Sequence, residues 1–113
     1  MMVDMYLLVI SYPNKPRELK RFILGLVKGG MAACVQKINY VKSYYMREGE
    51  MKQEEEKILL IKCLKEQKEK IEDYVAKNHP YEIPELLRLH PEHVNDAYKE
   101  RMKNTVSPKK TKK

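Results

Sequence analysis

Tryptophan is absent, phenylalanine occurs once and cysteine twice, and no apolar run approaches the roughly 18 residues a membrane-spanning helix needs. The last absence argues against a helical membrane protein. Cys34 and Cys63 are too few and too widely spaced for a disulfide scaffold, and a reducing cytosol would keep both as thiols. Met1 to Pro13 has neither the basic start nor the small-residue cleavage site of a secretion signal, which predicts a cytoplasmic chain. A nucleophile elbow, a phosphate-cradling glycine loop and a carboxylate pair spaced for acid and base roles are all missing, so the pattern speaks against an enzyme. With 113 residues, the chain makes one domain of ordinary size, which rules out a multidomain enzyme.

Twenty-three Lys and Arg against 16 Asp and Glu give a net charge of +7, but Lys109, Lys110, Lys112 and Lys113 supply four of these beyond Pro108. Without those four the balance is only +3. A mildly basic body is a poor match to a surface that must neutralise many phosphates. Eight tyrosines could suggest base stacking, and Tyr40, Tyr44 and Tyr45 do lie among Lys37 and Lys42. Packing between subunits is the preferred reading, and nucleic acid is not expected as a partner. The basic residues 105–113 read as a solubilising tail on a domain spanning 1–104.

Met5 to Ser11 is a short apolar stretch ending at Tyr12-Pro13-Asn14, and it suits a strand buried on both faces. Leu19, Phe22, Ile23, Leu26 and Val27 then recur with helical spacing, with Asn14 as candidate cap, Pro16 in the first turn and Gly29-Gly30 as the stop. Met31 to Met46 is rich in β-formers and reads as one long strand, and Gly49 marks a hairpin into a returning strand that contains Ile58 to Ile61. Helix is the rival reading for Gln53 to Lys62. A second amphipathic helix follows over Lys65 to Asn78 and is ended by Pro80; Glu82 to Leu89 suits an edge strand because it holds Pro84. Asn95 to Asn104 predicts a short last helix with Ala97, Tyr98 and Met102 inward.

This order of elements gives an α+β fold of the ferredoxin-like, split βαβ kind: an antiparallel sheet with helices on one face, a long β-hairpin and a short C-terminal helix. A straight strand of 16 residues would reach roughly 53 Å, whereas a compact chain of this length has a radius of gyration near 13 Å. The hairpin must therefore bulge, or project and pair with another copy of the chain. Tyr44 and Tyr45 alternate faces, so one of them is expected inward, in the sheet core or a subunit seam.

Four segments now stand together: Met31-Ala32-Ala33-Cys34-Val35, Tyr45-Met46-Arg47-Glu48-Gly49, Leu60-Ile61-Lys62 and His79-Pro80-Tyr81-Glu82-Ile83-Pro84-Glu85. In this order they resemble the CutA family of divalent-cation tolerance proteins, from the first strand to about Thr105. The resemblance implies a small cytosolic homotrimer of ferredoxin-like subunits held by strand pairing, similar in build to the PII signalling proteins. It also implies a link to tolerance of copper and other divalent metals, with no established reaction and no cofactor beyond a divalent metal such as copper. Departures are visible. Arg47 stands where many members have Trp, and Glu50 where many have Lys. Of the copper ligands proposed for some members, only His79 has a counterpart, because Ile10 and Asn78 occupy the matching Cys and first His positions.

The candidate metal ligands are accordingly His79 and Cys34, imidazole and thiolate being the donors copper and zinc prefer. None of Cys34, Cys63, His79, His90 and His93 falls at CxxC, HxxxH or HExxH spacing. For His79 the alternative is a helix-terminal group bonding the last carbonyls, and for Cys34 a small buried apolar residue. Tyr81, Glu82 and Glu85 are the candidates for an intersubunit cleft, one that binds a small anion or a partner protein in a PII-like sensing or scaffold role. Glu54-Glu55-Glu56 alternates between two faces if extended and cannot close on one ion, so it reads as a solvated acidic stretch.

Overall fold

The computed structural model describes residues 3–106, so the basic tail beyond Val106 lies outside the described residues. Four strands and three helices follow in the order β1 (Met5–Pro13), α1 (Pro16–Lys28), β2 (Cys34–Arg47), β3 (Glu50–Leu64), α2 (Lys68–Asn78), β4 (Leu86–Leu89) and α3 (Asp96–Val106). The sheet runs β2-β3-β1-β4 with every neighbour antiparallel, which is the ferredoxin-like arrangement. Gln53 to Lys62 is strand throughout, so the helical alternative fails there.

Strand alternation sorts the side chains into two layers. Leu8, Ile10 and Tyr12 of β1 face the same way as Leu59, Ile61 and Cys63 of β3, and Leu19, Phe22 and Leu26 of α1 close over them with Ile71 and Val75 of α2. Gly25 of α1 leaves room for Tyr74 of α2: a Cβ there would collide with the Tyr74 hydroxyl, which donates to the Phe22 carbonyl at 3.0 Å. Among the described residues, the other face of the sheet is covered only at one end, where Met102 of α3 packs on Met5, Leu64 and Ala33. The third helix therefore sits opposite the other two.

Several local expectations are corrected. Lys15, not Asn14, precedes the first turn of α1, and no side chain caps it, although Pro16 does occupy the first turn. β4 covers only Leu86–Leu89, because Pro80 and Pro84 have no amide to give a ladder and the chain between them stays irregular. Ala97 is exposed while Met102 is buried, and α3 runs to Val106, two residues past the expected end at Asn104.

The hairpin both bulges and projects. Ile38 pairs with Ile58 and Val41 with Glu56, so three steps on β2 match two on β3, and the extra residue is accommodated at Tyr40. Tyr40 adopts φ 63°, a left-handed conformation that a bulky side chain takes at a cost of about 1 kcal/mol or more. Its ring is 94% exposed, with the Lys57 ammonium 5.6 Å from the ring centroid. The molecule extends 57 Å along its longest axis with a radius of gyration of 15.8 Å. The bulge also reverses parity: beyond it Ser43, Tyr45 and Arg47 share the face away from α1 and α2, alongside Glu54 and Glu56.

Candidate functional site

The segment from His79 to Glu85 leaves the end of α2 and crosses the rim of the sheet before it becomes β4. Pro80 and Pro84 hold it in an irregular path, since each restricts the residue before it to extended conformations. Under this strap lies a cleft of about 840 Å³, lined by Ser11, Ser43, Tyr45, Glu54, Glu56 and Tyr81 with Glu82 and Glu85 beside them. The structure thus brings Tyr81, Glu82 and Glu85 around one cavity. Tyr81 is half-buried, whereas Glu82 and Glu85 are exposed at the edge.

Glu56 forms the floor and is only 7% exposed. The Ser43 hydroxyl donates to its Oε1 at 2.6 Å, and the Tyr81 hydroxyl donates to its Oε2 at 3.0 Å. Burial, then the Glu56 carboxylate, pushes the Tyr81 phenol well above its ordinary range, so Tyr81 stays a hydrogen-bond donor at any physiological pH. Tyr45 is raised in the same direction by burial and by Glu54, and the Arg47 guanidinium lies 5.3 Å from its ring centroid. These contacts order the floor and one wall of the cleft.

His79 stands behind the cleft and does not line it. Its ring is 8% exposed and lies 5.0 Å from the Tyr12 ring and 5.1 Å from the Tyr81 ring. Nε2 is 2.7 Å from the Ser11 carbonyl oxygen, and Nδ1 is 3.0 Å from the Tyr81 backbone nitrogen. A carbonyl only accepts and an amide N–H only donates, so the Nε2–H tautomer satisfies both. The imidazole therefore ties β1 to the strap and leaves the last carbonyls of α2 alone. Both ring nitrogens are engaged, and metal ligation would cost one of these bonds.

Cys34 is elsewhere. Ser11, the partner of His79, pairs with Ile58, while Cys34 pairs with Lys62, four residues and roughly 13 Å further along β3. Cys34 is half-buried beside the Met102 cluster, and the structure does not bring it to His79. Cys63 is fully buried in the main core, where burial pushes its thiol up to about 11. Such a thiol is a packing residue, not a nucleophile. Among the described residues, no group of three His, Cys, Asp or Glu side chains is placed to hold a metal ion.

Sequence reasoning did not single out Ser11 or Ser43, and it placed neither Tyr45 nor Glu54 and Glu56 in this cleft. The acidic run does alternate, so its three carboxylates cannot meet, but Glu54 and Glu56 share a face and Glu56 is buried. A period of two centred on Glu56 was the available signal; its burial depends on the strap.

Comparison with known proteins bears on the family and the fold. The family model described as CutA1 divalent ion tolerance protein matches residues 7–105. A protein of Arabidopsis thaliana named Protein CutA, chloroplastic, is 30% identical over 97 residues, which cover 86% of this chain and 53% of that protein. The chain thus spans about half the length of such plant relatives. The divalent-cation tolerance protein CutA of Thermus thermophilus is 33% identical over 82 residues, covering 72% of this chain and 78% of that one. Among solved structures, CutA1 of Oryza sativa superposes with a TM-score of 0.84 at 29% identity, covering 91% of this chain and 94% of its own. The same fold is present in CutA1 of Ehrlichia chaffeensis, with a TM-score of 0.87 at 20% identity, covering 94% of this chain and 98% of that one.

Proposed function

The chain belongs to the CutA family of divalent-ion tolerance proteins, and from that premise we propose that it serves divalent-cation tolerance, copper included, as a cytoplasmic, non-enzymatic homotrimer whose cleft binds a ligand. The observation that carries the ligand-binding reading is Glu56, a buried carboxylate held by Ser43 and Tyr81 at the floor of an open cleft. A PII-like sensing role fits such a site better than direct copper ligation by His79 and Cys34, which lie apart and of which His79 is already engaged. Among the described residues, four carboxylates against one guanidinium line the cleft, which makes a small anion a poor occupant.

Three features support self-association, while the number three comes from the family resemblance. Leu87 and Leu89 of β4 are 54% and 46% exposed on the face away from α1 and α2, next to Leu7 and Val9. Ile38 and half-buried Ile58 and Leu60 continue this apolar surface across the sheet. β2 and β4 are both edge strands, and a sheet face that the described residues cover only at one end, beside the long open edge of β2, invites pairing with further copies.

The reading is tested by copper tolerance in cells that lack their own CutA-type protein. Wild-type chain is expected to restore growth in copper, Glu56→Gln and Tyr81→Phe to fall to the level of empty vector, and Cys34→Ser to match wild type. Loss of tolerance in Cys34→Ser with both cleft variants intact would replace the sensing reading by direct ligation.

A further inference from the structure

We infer that the cleft takes an organic cation, an alkylammonium or guanidinium group, whose charge is balanced by Glu56. The inference rests on the ligand-binding reading above and names the chemistry of the ligand. Burying a carboxylate away from water is unfavourable unless an opposite charge accompanies it. Glu56 is more than nine-tenths buried, yet both of its contacts are neutral hydroxyls, from Ser43 and Tyr81. Among the described residues no Lys, Arg or His nitrogen comes within ion-pair distance of it; the ion pairs formed there involve Glu50, Glu72, Asp4, Asp96 and Glu100 instead. The two hydroxyls aim the carboxylate and still leave it acceptor sites for N–H donors.

The walls select the kind of cation. About 840 Å³ suits a small molecule, and among the described residues no group of three His, Cys, Asp or Glu side chains is placed to hold a bare metal ion there. Tyr45 and Tyr81 bring aromatic rings to the cleft, and an alkylammonium or guanidinium group is stabilised over such faces while its carbon stem covers apolar surface. Glu54 lies on the same face as Glu56, one pleat further along β3, where it can meet a second positive group on the same ligand. Among the described residues that line the cleft, the single cation, Arg47, already stacks on Tyr45, so this wall suits a guanidinium.

The test is isothermal titration of the full-length protein with agmatine, which carries one guanidinium and one ammonium, at fixed ionic strength. Saturable binding is expected, weakened roughly tenfold or more in Glu56→Gln, because a hydrogen-bonded charge is lost. Glutamine can still exchange hydrogen bonds with Ser43 and Tyr81, so this variant should keep the fold, and an unchanged circular dichroism spectrum checks that it does. Glu54→Gln gives a second, smaller loss through the other charge. Agmatine affinity unaltered in both variants, or no saturable binding, overturns the inference. Citrate and magnesium separate the two levels of reading. If either one saturates the protein and is lost in Tyr81→Phe while agmatine is not bound, the cleft remains a ligand site and the organic cation is wrong. If none of the three binds, both readings fall.

Discussion

Phe22→Ala is expected to lower folding stability by about 3 to 5 kcal/mol, a large part of the roughly 5 to 15 kcal/mol that holds a domain of this kind together. Phe22 is buried at the centre of the packed helix layer, with ring centroids 5.1 Å from both Tyr12 and Tyr74 and 6.2 Å from His79. Its neighbours cannot close readily over a cavity. Tyr74 is held by its bond to the Phe22 carbonyl and His79 by its bonds to Ser11 and Tyr81. Leu24, two residues on and 37% exposed, provides the contrast: Leu24→Ala should change stability by no more than about 0.5 kcal/mol. Urea unfolding at one fixed protein concentration measures both, since stability of an oligomer depends on concentration. A loss below about 1 kcal/mol for Phe22→Ala would show that the aromatic layer is loosely packed.

His79→Ala is the second large effect, at about 3 to 5 kcal/mol, and its origin is polar. The substitution leaves the Ser11 carbonyl and the Tyr81 amide without their partners, each at about 1 to 3 kcal/mol, and it opens space between Tyr12 and Tyr81. Freed from the imidazole, the strap should shift Tyr81 away from Glu56, so ligand affinity at the cleft is expected to fall together with stability. Cys34→Ala should do neither. Urea unfolding with a parallel ligand titration reads both consequences. If His79→Ala keeps wild-type stability but loses bound copper, the histidine acts as a metal ligand and not as the tie between β1 and the strap.

Much of the fold was legible because periodicity in this chain is strong where the core is built. Leu19, Phe22, Ile23 and Leu26 mark one face of α1, and Ile71 and Val75 mark α2, because a helix buries only the residues that return to one side. The hairpin length was readable from composition, and so was the need for a bulge or a projection. Its position was not. A single extra residue at Tyr40 carries a misleading local signature, since Asn39 is the residue of Asn39-Tyr40-Val41 suited to a left-handed conformation, whereas the bulky Tyr40 beside it is the one that adopts it. Because that residue reverses parity, it also decides that Tyr45 turns toward Glu56 while Tyr44 remains 58% exposed on the other side. Neither tyrosine is buried in the core of the single chain: Tyr45 is half-buried at the cleft and Tyr44 is exposed, which leaves a subunit seam as the other place the alternation allows.

The cleft was half legible. Tyr81, Glu82 and Glu85 stand out between two prolines, but the buried acid they surround comes from a run that looks solvated when read along the chain. Burial of Glu56 is a tertiary fact, produced when the strap closes over β3 and Tyr81 meets it across 25 residues of sequence. His79 does close α2, its backbone N–H donating to the Val75 carbonyl, but the partners of its ring were not legible: Ser11 and Tyr81 lie in β1 and in the strap, and no local pattern announces them.

The exposed apolar face opposite α1 and α2 makes assembly the most direct question to put to the molecule. Native mass spectrometry of full-length protein, purified without chelator or affinity metal, reports subunit number and bound mass together. The expected result at low micromolar concentration is a species of three times the 13.5 kDa chain mass, dissociated to single chains by Leu87→Asp combined with Leu89→Asp. A single-chain mass for the wild-type protein throughout that range would contradict the trimer.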